Sequence, residues 1–127
     1  MKKLLLLLVL AGCGDEGVAF SYEGSEEGYE AAQRAASRWQ VCGEAVVVAR
    51  SPGLNTLLEV EPKDLPPNYL GYTAHKSIWF LVRSSNAETI LEHEMGHVLG
   101  YSHAPTGIMR ESIGAGEVVH ISPSDCY

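Results

Sequence analysis

The sequence predicts a small α+β domain, and three observations carry that prediction. Apolar residues alternate at period two over Val18-Ala19-Phe20-Ser21-Tyr22 and recur at helical spacing at Tyr29, Ala32, Ala35, Ala36 and Trp39. Apolar and β-branched runs then crowd residues 45–82 before a second helical pattern opens near Asn86. Composition suits one such unit: the chain has 127 residues, 46% apolar, 20% charged and 8% aromatic. These are values of an ordered globular chain, not of a disordered, collagen-like or multi-domain one.

Taken in order, 18–22 is a half-buried strand. Ser25 caps the first helix, whose acidic first turn (Glu26, Glu27) is solvated and favoured by the helix dipole; Gly43 ends it. Residues 45–49 form an unbroken apolar run, the pattern of a strand covered on both faces. After the Ser51-Pro52-Gly53 turn, 54–60 is a further strand. Pro62, Pro66 and Pro67 mark a loop, and 69–73 and 77–82 are two more strands. Trp39, Trp79 and Tyr101 read as packed residues. A second helix starts at Ser85 or Asn86, buries Ile90, Leu91, Met95 and Val98, and stops at Gly100. From Tyr101 to Tyr127 the chain is loop, although Ser122-Pro123-Ser124-Asp125 has the cap-and-proline chemistry of a helix start.

The N-terminus is an export signal. Lys2 and Lys3 precede the apolar run Leu4–Leu10, which is too short to span a bilayer. Leu10-Ala11-Gly12-Cys13 resembles the lipobox of bacterial lipoproteins, which implies removal of residues 1–12 and lipid on Cys13; the alternative is an ordinary secretory signal that contains a cysteine. The expected location is the bacterial cell envelope, with a soluble domain over 13–127 anchored to a membrane surface by acyl chains. The formal charge of −7 comes from 9 basic and 16 acidic residues, and losing Lys2 and Lys3 leaves the domain at −9. With no further basic cluster, nucleic acid is not an expected partner. Cys42 and Cys126 remain as an even pair in an oxidising compartment and are expected to be bonded, two free thiols being the alternative.

The chemistry lies in His93-Glu94-Met95-Gly96-His97-Val98-Leu99-Gly100-Tyr101-Ser102-His103, which reads H-E-x-x-H-x-x-G-x-x-H. On a helix His93 and His97 project from one face, so both imidazoles reach one ion. Gly100 lets the chain reverse and bring His103 round as a third ligand. Three nitrogen ligands leave a fourth position open, the pattern of a catalytic zinc ion, and Glu94 beside them is the candidate general base. His75 and His120 have no ligand-like partners in sequence and read as surface or loop histidines.

This segment resembles the elongated zinc motif of the metzincin metallopeptidases. Met109, in Gly107-Ile108-Met109, is placed as the methionine of the Met-turn, the apolar floor beneath the ligands. The order of elements over about 17–110 is similar to the N-terminal subdomain of matrixin-like members. The resemblance implies a twisted, mostly parallel sheet of about five strands packed on a long helix and on the zinc-binding helix. It also implies zinc-dependent hydrolysis of peptide bonds, the substrate lying extended along an edge strand at 69–76. The chain departs from matrixins in ending where their C-terminal helix begins and in lacking their cysteine-bearing propeptide, so no zymogen cleavage is expected. Glu111 stands where astacin-like members carry a tyrosine ligand, which implies a three-histidine site. A lipid-anchored zinc-binding interaction module without turnover is the alternative; Glu94 speaks against it, since a purely structural ion has no use for a base. A secreted inhibitor or adhesin acting through the sheet edge has no sequence feature of its own.

Overall fold

In a computed structural model, residues 17–52 and 55–126 are described. The expected signal 1–12, Cys13 and Tyr127 lie outside them, as do residues 53 and 54. The strands are β1 (Val18–Glu23), β2 (Val46–Ala49), β3 (Asn55–Glu59), β4 (Gly71–Ala74) and β5 (Ser77–Phe80); the helices are α1 (Glu26–Arg38) and α2 (Ala87–Val98). The fold is α+β, with one five-stranded sheet in the order β2-β1-β3-β5-β4, parallel except for the β4–β5 hairpin. Among the described residues no helix is long and apolar enough to cross a membrane.

The sheet is covered on one face. Phe20 and Tyr22 of β1, Val46 and Val48 of β2, Leu57 of β3, and Ile78 and Phe80 of β5 all point into the core that both helices share. Helix α1 meets it with Gly28, Ala31, Ala32, Ala35 and Ala36, small side chains that let the helix approach closely. Its start is as expected: Ser25 Oγ accepts from Gly28 N at 3.1 Å. It converts after Arg38 to a 3₁₀ turn over Trp39–Cys42, and Gly43 closes that turn in the left-handed conformation at φ 77°.

Two expectations fail for one reason. The run 45–49 is not covered on both faces, because both helices pack on the same face of the sheet and Val47 points away from them, 58% exposed. Trp79 is likewise outside the core: Ile78 and Phe80 take the inward positions, and period-two alternation puts Trp79 on the open face, stacked on Tyr72 with ring centroids 5.9 Å apart. The strand ends also shift, 69–73 becoming Gly71–Ala74 and 77–82 becoming Ser77–Phe80.

The segment after α2 has little regular structure, and the helix start at 122–125 is a single 3₁₀ turn, Pro123–Asp125. It is nonetheless held tightly. Asn86 Nδ2 donates to the carbonyls of Gly114 (2.9 Å) and Glu117 (2.8 Å), and Thr89 Oγ1 donates to Val119 O (2.7 Å). Glu92 accepts from Ile121 N (2.9 Å). Asn86, Thr89 and Glu92 stand three apart on α2 and are all buried, forming a polar seam that docks 114–121 as a strap. A disulfide joins Cys42 to Cys126, Cα atoms 5.2 Å apart, and ties the end of the strap to the end of α1.

Candidate metal centre and its cavity

Helix α2 presents His93 and His97 one turn apart. Gly100 then adopts φ 101°, a conformation other residues rarely take, and the chain doubles back with Tyr101 N donating to Gly96 O at 2.8 Å. This reversal brings His103 to the other two. Ring centroids of His97 lie 4.8 Å from those of both His93 and His103, and one ring nitrogen of each histidine falls within 4.8 Å of the others.

Hydrogen bonds set which nitrogens face inward. His93 Nδ1 is 2.7 Å from Ile108 O, and His97 Nδ1 is 3.0 Å from Tyr101 O. A carbonyl only accepts, so each Nδ1 carries the proton and each Nε2 keeps a lone pair for an ion. His97 Nε2 and His103 Nε2 are 3.2 Å apart, matching two imidazoles that share one small cation. Burial, aided by the neighbouring His97 and His103 and opposed by the Ile108 bond, pushes the His93 pKa down to about 4, which favours the neutral, ligating form. The donor set therefore fits a metal ion.

The loop 104–110 forms the floor. Gly107 turns at φ 84°, Ile108 supplies the carbonyl for His93, and Met109, 1% exposed, packs against the helix. A Cβ at Gly96 would lie 2.4 Å from Met109 Sδ and 2.9 Å from Trp39 Cζ2, so this position needs glycine for closeness. Trp39 is itself fixed, its Nε1 donating to Glu92 O at 3.0 Å.

Glu94 lies on the cavity side of α2. Burial raises its pKa, opposed by the Thr73 hydroxyl, which donates to Oε1 at 2.5 Å, and by the charge of His103. Thr73 was not among the expected site residues; it reaches Glu94 because β4 runs close to α2 at Gly71, where a Cβ would lie 2.5 Å from Ile90 Cγ2. Together β4, α2, His103 and residues 111–113 enclose a cavity of about 540 Å³. It brings His93, His97, His103 and Glu94 to one space; Met109 lies beneath, and Cys42 and Cys126 are elsewhere.

His75 sits in the exposed β4–β5 turn, as expected of a loop histidine. His120 is likewise in an exposed loop, and in addition its Nδ1 is 2.7 Å from Glu92 Oε2. Glu88, Glu92 and His120 make a second close group of donors. It serves as an ion-pair network, because Arg34 and Arg38 hold Glu88 at 2.8 and 2.7 Å and Arg38 lies 3.3 Å from Glu92. No protein-family model matches the chain, and no curated protein matches it either.

Proposed function

We propose that this protein is a zinc-dependent endopeptidase of the matrixin-like metzincin kind. The observation that carries the reading is the convergence of three imidazole nitrogens beside a buried carboxylate in one open cavity. His93, His97 and His103 would hold the ion; zinc suits an all-imidazole set, and bonds of about 2.0–2.1 Å place two tetrahedral ligands roughly 3.3 Å apart, close to the 3.2 Å between His97 and His103. Bound there, zinc supplies Lewis acidity, polarising a carbonyl and acidifying water.

The chain's own groups do the rest. Glu94 takes the proton of the attacking water on its carboxylate and passes it to the amine that leaves. Thr73 fixes the carboxylate's orientation through Oε1, leaving the other oxygen to take the proton. Strand β4 is the edge strand on the cavity side, so an extended peptide adds to it as a further strand, its scissile bond carried past Glu94. Anchoring through lipid on Cys13 would place this activity at a membrane surface of the bacterial envelope.

The test uses the full chain in detergent: zinc by elemental analysis, and cleavage of an unbiased peptide library with and without chelator. About one zinc per chain, with chelator-sensitive cleavage abolished in Glu94→Ala, supports the peptidase. Zinc without cleavage favours the binding module, and a folded chain that takes no zinc removes the metal site.

A further inference from the structure

Leaving aside the charge an ion would bring to the histidines, the charged side chains of the cavity are acidic. Its lining includes two carboxylates, Glu94 and Glu111, and no lysine or arginine. Glu94 is committed to Thr73. Glu111 is exposed and forms no ion pair or side-chain hydrogen bond among the described residues. The nearest cation in sequence, Arg110, is engaged elsewhere, paired with Glu117. Glu111 also lies outside the group of close donor atoms formed by the three histidines, so it is not placed as a fourth ligand.

The strand side of the cavity adds two aromatic rings. Tyr69 and Tyr72 line it while remaining 49% and 41% exposed, with ring centroids 6.1 Å apart. An unpaired carboxylate on a cavity that also exposes tyrosine surface suits a cationic side chain: the carboxylate supplies the counter-charge, and the tyrosines supply cover for the aliphatic stem. The net charge of −7 draws cations toward the whole surface.

We infer that the cavity selects peptides carrying a lysine or arginine close to the scissile bond, with Glu111 as the counter-ion and Tyr69 and Tyr72 as the aromatic flank. This rests on the peptidase reading, and it names the substrate class for that site.

Two measurements keep the fates of the two readings apart. In the zinc-loaded full-length Glu94→Ala chain, fluorescence anisotropy compares peptides that differ only by lysine or arginine against glutamine at one position. Basic peptides are expected to bind about tenfold tighter at one or two positions, and the preference should vanish on adding Glu111→Gln. In the chain with Glu94 intact, the ratio of kcat/KM for basic over neutral peptides should fall from about tenfold to near one in Glu111→Gln, and Glu111→Lys should invert it toward acidic peptides. Cleavage with no basic preference overturns the inference and leaves the peptidase standing. A binding preference without cleavage in the intact chain supports the inference as a recognition site and removes turnover. Loss of zinc from Glu111→Gln would make Glu111 a metal ligand and overturn the inference.

Discussion

The Thr73 hydroxyl donates to Glu94 Oε1 across 2.5 Å, joining the edge strand β4 to the helix that carries His93 and His97. The bond defines which way the carboxylate faces, so its removal should affect turnover more than binding. Thr73→Val is expected to lower kcat by about 10- to 100-fold with KM changed little, while zinc content stays near one per chain. Thr73→Ser restores the hydroxyl and should recover most of the rate. Steady-state kinetics on any cleaved peptide checks this; a fall in zinc content parallel to the rate would instead make Thr73 a support of the metal site.

Gly96 and Met109 make the second prediction. The helix and its floor touch where Gly96 has no side chain, and both neighbours are confined: Met109 is buried and Trp39 is pinned through Glu92 O. Gly96→Ala gains helix propensity of about 1 kcal/mol yet forces this contact apart, so a net loss of about 1–3 kcal/mol is expected. Urea denaturation measures it. An unchanged or higher midpoint would mean the floor yields without cost.

Much of the site was legible in sequence because it depends on spacing along one helix. His93 and His97 share a face by periodicity, Gly100 announces the reversal, and His103 follows at the right distance. What sequence could not show depends on chain segments meeting from afar. Thr73 is one of four threonines, with nothing to single it out until β4 packs on α2. Asn86, Thr89 and Glu92 are polar residues whose burial appears only once the strap covers them, and His120 bonds to that same seam. The sheet's open face was hidden for a similar reason: the run 45–49 is equally apolar whether one or both of its faces are covered, and only the packing of both helices on the other face decides.

The Cys42–Cys126 bridge spans 84 residues of sequence and fastens the strap whose backbone covers α2. A loop that long costs the unfolded chain much entropy when closed, so Cys42→Ser with Cys126→Ser is expected to lose about 3–5 kcal/mol. The strap should loosen first. Hydrogen exchange in the double variant should show faster exchange at Val119 and Ile121, whose amides donate to Thr89 and Glu92, than in the core strands. Uniform exchange across the chain would show the bridge acting on global stability alone.

Glu88 gives the pH dependence. Desolvation pushes its pKa up, but hydrogen bonds from Arg34 and Arg38, with their charges, outweigh that and hold the carboxyl below the usual carboxylate range. A carboxyl whose folded pKa is depressed binds fewer protons folded than unfolded near that pKa. Its contribution is therefore fully present above the unfolded value of about 4.3 and is lost as pH falls through the folded value. Both arginines are well exposed, so solvent screens the pairs and the expected contribution is about 0.5–1 kcal/mol. Glu88→Gln should lower the melting temperature by about 2–6 °C at pH 7, and the difference from the parent chain should shrink progressively as pH falls below about 4. Comparing the two proteins at each pH cancels the acid titration of the other carboxylates. A difference that persists undiminished at pH 3 would mean that Glu88 acts through packing and not through its charge.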